Sequence, residues 1–119
     1  MLRFPAAIAA LLFASAAFAQ SVTSGKALYE ACEPCHGTGA ASTELGPSLI
    51  GIVGRAAGAR ADFRYSRALR GAKIVWDAST LDAFLADPQS VVAGTRMPFA
   101  GIPDRSERAS LISYLGALR

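Results

Sequence analysis

Followed for where apolar side chains recur, the chain divides into an apolar opening, a broken middle and a regular end. Ala6 to Phe18 is apolar apart from Ser15 and shows no stripe of helical period. Beyond it, Leu28 and Cys32 share one face of a segment from Gly25 to Cys32 that Thr23 or Ser24 can cap, which predicts a first helix. Pro34 lacks an amide donor and disfavours helix at Glu33, so regular structure is expected to fade there. Gly37 to Gly46 reads as loop, and glycines at 46, 51, 54 and 58 with Pro47 break the stretch to Arg60 too often for helix or strand. Loops of that length inside a small domain usually have a task. Tyr65 to Arg70 predicts a short helix. A firmer one begins at Ser79, where Ser79 and Asp82 stand at capping-box spacing and Leu81, Phe84 and Leu85 share a face; Pro88 ends or kinks it after Asp87. Val91 to Pro103 is again irregular. The last helix is the clearest: Asp104 caps it, Glu107 completes a box, and Leu111, Leu115 and Leu118 recur as a buried stripe with Ile112 and Tyr114 beside them. The pattern implies an all-α domain of about four to five short helices with long ordered loops.

The apolar opening has its own meaning. Met1-Leu2-Arg3-Phe4-Pro5 supplies a positive start, and Ala17-Phe18-Ala19 supplies small residues at alternate positions, so residues 1–19 read as a secretory signal peptide cleaved after Ala19. The apolar run falls short of the about 20 residues a permanent span needs, so membrane association is expected only if the leader is uncleaved. Removal leaves Gln20 to Arg119 as a single domain. The formal charge of +3 falls by one with Arg3, and no concentrated basic stripe suggests nucleic acid.

Cys32-Glu33-Pro34-Cys35-His36 uses both cysteines and the only histidine within five residues. That is the pattern of c-type haem attachment: two thiols add to the two vinyl groups of one haem, and the adjacent imidazole can bind iron. A thioredoxin-like dithiol would sit at a strand end in a βαβ pattern, and the residues before Cys32 do not favour strand. Zinc needs about four ligands, and no second pair exists. A disulfide would close too short a loop to constrain the unfolded chain. In an exported protein the pair would normally oxidise, so capture by haem soon after translocation fits a bacterial periplasm. A domain this small buries limited surface alone, and the apoprotein is expected to be largely unfolded.

An iron with one histidine has a sixth position to fill. Loss of Met1 leaves Met97 as the only thioether, in the glycine- and proline-bounded loop from Gly94 to Gly101. Most methionines are flexible core fillers; beside an upstream CxxCH, ligation becomes the stronger reading. A His36/Met97 pair favours ferrous iron and denies the metal to peroxide, oxygen and carbon monoxide, which argues for electron transfer. The rival is a haem enzyme or gas sensor with an open sixth site.

These motifs, in this order, resemble a class I cytochrome c over nearly all of the mature chain: Cys32 to His36, Gly46-Pro47-Ser48-Leu49, Tyr65 with Trp76, Pro88, Gly94 to Gly101, and Leu111 to Leu115. The resemblance implies one covalent haem c through Cys32 and Cys35, and a Pro47 carbonyl that accepts from the His36 imidazole. It implies that Arg55, Tyr65, Trp76 and Thr95 hold the haem propionates, that Phe99 lies across the haem near its exposed edge, and that Gly25 and Leu28 meet Leu111, Tyr114 and Leu115 where the terminal helices cross. It implies a monomeric one-electron carrier meeting redox protein partners, donor and acceptor in turn, or alternatively a dedicated subunit of a periplasmic dehydrogenase. Two departures stand out. Phe84 replaces a tyrosine and Leu69 an asparagine of mitochondrial members, implying a drier distal pocket. The lysine ring at the haem edge is reduced, with Ala31, Gln89, Ser90 and Asp104 in its place and Arg96 as the remaining nearby charge; most cations lie instead at Arg60, Arg64, Arg67, Arg70 and Lys73, which read mainly as a solvated face.

Overall fold

The computed structural model describes the backbone of residues 6–119 and side chains from residue 16 onward, so the basic start of the expected leader, Met1 to Pro5, lies outside the described residues. Among the described residues there are six helices in chain order: α1 Ala6–Tyr29, α2 Glu33–His36, α3 Arg67–Gly71, α4 Ala78–Ala86, α5 Pro88–Val91 and α6 Arg105–Ala117. No strand forms among them; a single antiparallel bridge joins Ala56 to Val75. No helix there is long and apolar enough to cross a membrane.

Several boundaries differ from those the pattern suggested. The first helix does not start at Gly25, because the alanine-rich segment before it favours helix strongly and α1 runs unbroken through Ala19. Neither Thr23 nor Ser24 is its cap: the Thr23 hydroxyl donates back to Ala19 O at 3.0 Å, one turn earlier. α1 ends at Tyr29 rather than Cys32, where the amides of Glu30, Ala31 and Cys32 tighten to carbonyls three residues back. Helix then resumes where it was expected to fade. Pro34 stands in the first turn of α2, where amide protons lack intrahelical acceptors and proline is tolerated. The capping box of α4 is Asp77 with Thr80, not Ser79 with Asp82. Pro88 opens α5 as well as ending α4, with Asp87 as N-cap. Asp104 caps α6 by accepting from the Glu107 amide at 2.9 Å and the Ser106 hydroxyl at 2.7 Å.

The core lies where α1 and α6 cross. Gly25 permits the approach: a Cβ there would overlap the Ser110 carbonyl oxygen and lie 2.7 Å from Tyr114 Cβ. Tyr29 stacks at a tilt on Tyr114 with centroids 5.2 Å apart, and Leu111 and Leu115 are buried below them. Because the obstacle is backbone rather than a flexible side chain, Gly25→Ala should exceed its gain in helix propensity (~1 kcal/mol) and destabilise by about 3 kcal/mol or more. The check is the urea midpoint of the holoprotein, and a change under about 1 kcal/mol would show the crossing to be loosely packed.

α4 also packs against α6 and contributes Leu81, Phe84 and Leu85 to the same core. The long middle loop is ordered by backbone pairing: Gly54 N–H to Trp76 O at 2.6 Å, Trp76 N–H to Arg55 O at 2.8 Å and Ala57 N–H to Ile74 O at 2.8 Å. This pairing brings Arg55 beside Trp76.

Candidate cofactor site

The helices and loops enclose a cavity of about 780 Å³, within the ~300–1,000 Å³ of pockets that bury a ligand. Cys32, Cys35, His36, Arg55, Tyr65, Trp76, Thr95, Met97 and Phe99 all line it, as does Pro47, so every residue expected at the site meets one space. The α2 turn arranges the first three. The amides of Cys35 and His36 both bond to Cys32 O, at 3.2 and 3.0 Å, which winds the motif into one turn against the cavity wall. The two thiols are free and half-buried, and burial raises that of Cys32, with Cys35 adding to it.

His36 is 8% exposed, and its Nδ1 lies 2.7 Å from Pro47 O. A carbonyl only accepts, so Nδ1 carries the proton and Nε2 keeps its lone pair. Burial pushes the imidazole below its ordinary range, more than the Pro47 carbonyl raises it, which favours this neutral tautomer. Gly46 backs the ring closely: a Cβ there would stand 3.0 Å from Nδ1 and from Cys35 O.

Behind the histidine lies a polar scaffold that the sequence pattern left as plain loop. The Thr43 hydroxyl donates to Cys35 O and accepts from the amides of Leu45 and Gly46 at 3.1 and 3.2 Å. Ser48, fully buried, donates to Gly39 O at 2.7 Å, and its amide reaches Ser42 Oγ at 2.9 Å. Ser42 in turn donates its amide and hydroxyl to Asp62, whose carboxylate also takes the Arg60 fork at 2.8 and 2.9 Å. The Arg60 fork, then Ser42, hold the Asp62 carboxyl well below the usual carboxylate range. A depressed folded value means this stabilisation is present above the ordinary carboxylate range and fades as pH falls below it. Asp62→Asn should therefore flatten part of the acid limb of stability, read as urea midpoints between pH 7 and 3; an unchanged limb would show the cluster to be fully screened. Serine and threonine two or three residues before a turn amide were the available signal, since their side chains close such turns.

The opposite wall tests whether a haem suits the space. Tyr65, Trp76 and Thr95 are 7%, 6% and 6% exposed. The Tyr65 oxygen accepts from Arg60 N–H at 3.2 Å, and the Thr95 hydroxyl oxygen accepts from Met97 N–H at 3.4 Å. Neither hydroxyl proton, nor the Trp76 indole proton, is donated to any acceptor among the described residues, although all three side chains border one cavity. Their donors therefore face the cavity, and the carboxylates of a haem would supply anionic acceptors there. Arg55 adds charge to that side, its guanidinium bonded to Ser48 O at 2.8 Å and to Ile50 O. The wall near Phe84 and Leu69 is apolar, with Phe84 edge-on to Trp76 at 5.1 Å. Donors, thiols and imidazole together fit a haem.

Met97 is half-buried on a tight turn in which Phe99 N–H bonds to Met97 O at 2.9 Å. Arg64 and Arg96 border the same cavity, joined by a 2.8 Å bond from Arg96 Nη2 to Arg64 O. Arg60 is paired with Asp62, so the basic segment is not uniformly solvated; Arg64, Arg67, Arg70 and Lys73 are exposed. Among the described residues no three His, Cys, Asp or Glu side chains converge.

Comparison with known proteins agrees with this construction. The family model described as Cytochrome c matches residues 22–119. The chain is 37% identical to Cytochrome c2 of Rhodomicrobium vannielii across 90% of its length and 87% of that protein. It is 41% identical to Cytochrome c type-1 of Ascaris suum across 77% of its length and 83% of that protein. The solved structure of cytochrome cH from Methylobacterium extorquens superposes with a TM-score of 0.76 at 36% identity, covering 81% of this chain and 97% of that one. With its helices, its Cys-x-x-Cys-His turn and a cavity lined with donors for an anionic cofactor, the chain belongs to the cytochrome c family.

Proposed function

We propose that this chain is a periplasmic electron carrier in which His36 and Met97 ligate the iron of one haem c attached through Cys32 and Cys35. Bound in the cavity, the haem supplies a one-electron ferrous/ferric couple. The observation that carries the reading is that a single cavity is bordered by both thiols, the fixed neutral imidazole and the only thioether of the domain. His36 offers Nε2 because Pro47 holds Nδ1–H, and Pro47 makes the ring a stronger donor. Met97 would supply the second protein ligand to the iron and so would keep water and gases from it. Tyr65, Trp76, Thr95 and Arg55 hold the propionates, stabilising buried negative charge. The family match beginning at residue 22 and the exposure of Ala16 to Gln20 support cleavage after Ala19 and export.

The partners are redox proteins that meet the haem edge in turn. With the lysine ring mostly replaced, electron exchange should depend less steeply on salt than for a lysine-ringed relative. Stopped-flow rates with the physiological acceptor, compared between about 10 and 200 mM salt, check this; a steep fall on adding salt contradicts it. The function itself is tested by a potentiometric titration of the holoprotein. A reversible one-electron wave with no carbon monoxide adduct at neutral pH is expected, and ready binding of carbon monoxide would remove the main support for electron carriage.

A further inference from the structure

The loop that presents Met97, between α5 and α6, is secured at both stems by side chains outside the cavity wall. At the incoming stem, Gln89 uses both ends of its amide: Nε2 donates to Thr95 O at 2.9 Å and Oε1 accepts from Gly94 N–H at 3.0 Å. The outgoing stem lies against the end of α4, with Ile102 N–H bonded to Leu85 O at 2.7 Å. Gly101, at φ 116°, allows that contact, because a Cβ would overlap the Ala86 carbonyl oxygen. Arg108 of α6 then reaches across: Nη1 donates to Ile102 O at 2.8 Å and Pro103 O at 2.9 Å, and Nε donates to Asp82 of α4 at 2.8 Å. One guanidinium thus ties two helices to the stem of the ligand loop.

We propose that the Asp82–Arg108 pair is a latch on the Met97 loop and sets how often Met97 yields its place to an outside ligand. The inference rests on Met97 being the sixth ligand. Neither residue borders the cavity, so both act as positioning residues through the loop. The Arg108 side chain is 12% exposed, against 42% for Asp82. The guanidinium is therefore largely desolvated, and its charge-assisted bonds are stronger than those of an ordinary surface pair. Lifting Met97 away needs the loop to open locally, and an outgoing stem bonded to Arg108 makes that opening rarer. An outside ligand binds in proportion to the open fraction, so its apparent affinity reports the latch.

The test is an imidazole titration of ferric holoprotein. Arg108→Met should lower the imidazole dissociation constant by roughly tenfold or more. Asp82→Asn, which keeps both carbonyl bonds and guards against misfolding of the first variant, should lower it about threefold. In a Met97→Ala background the iron is already accessible, and Arg108→Met should change the constant by less than about twofold. The latch is overturned if Arg108→Met and Asp82→Asn have no effect beside Met97, or if the gain is equal in both backgrounds. If Met97→Ala alone binds imidazole no more tightly than wild type, it is the ligation reading that fails.

Discussion

Cys32→Ser combined with Cys35→Ser is expected to leave a chain without attached haem and without the folded domain. The reason is one of magnitude. An unfilled core cavity costs on the order of 24 cal/mol per Å³, so one of about 780 Å³ would cost roughly 20 kcal/mol if it could neither collapse nor admit water. Partial collapse and hydration reduce that figure, but the whole stability of a domain is only about 5–15 kcal/mol. The cavity also borders the buried core: Ile52, Trp76, Leu81, Phe84, Leu85, Leu111 and Leu115 all line it. Collapse would therefore have to dismantle the α1, α4 and α6 packing rather than close a side pocket. Far-ultraviolet circular dichroism of the purified double variant should show most of the helix lost. A variant that retains native helicity and a cooperative urea transition would show that the polypeptide folds without its cofactor.

Met97→Ala carries the second large effect. On the proposed ligation, removing the thioether would open the sixth position while leaving His36, Cys32 and Cys35 in place, so the haem would stay attached. The weak red band of a sulfur-to-iron bond in the ferric protein should vanish, and the ferrous protein should bind carbon monoxide. The potential should fall by on the order of 100 mV or more, since a soft ligand that favours ferrous iron has been lost. Thr95 should feel the change as well, because its hydroxyl oxygen accepts from the Met97 amide. A variant with the red band and potential of wild type would remove Met97 from the iron.

Much of this site could be read from the chain because its chemistry is concentrated. Cys32, Cys35 and His36 fall within five residues, and Met97 is the only methionine besides Met1. The Asp104 cap and leucine stripe of α6 were legible because capping and amphipathic spacing are local. Helix limits elsewhere were less so. α1 continues through a leader-like segment because alanine propensity does not register a cleavage site, and α2 forms across Pro34 because a proline in a first turn costs little. The Asp82–Arg108 pair, twenty-six residues apart, and the Ser42–Asp62 pair, twenty apart, had no local signal. Each joins elements that only the fold brings together. Asp82 had been expected to serve its own helix, whereas the α4 cap belongs to Asp77, which frees Asp82 to reach Arg108.

The central claim is a six-coordinate iron closed by one nitrogen and one sulfur from this chain. X-ray absorption at the iron edge of the wild-type ferric protein tests it most directly, because it counts the scatterers without relying on a variant. The account predicts a shell of porphyrin and imidazole nitrogens with a single sulfur. A shell of nitrogen and oxygen only, or an iron with five neighbours, would contradict it.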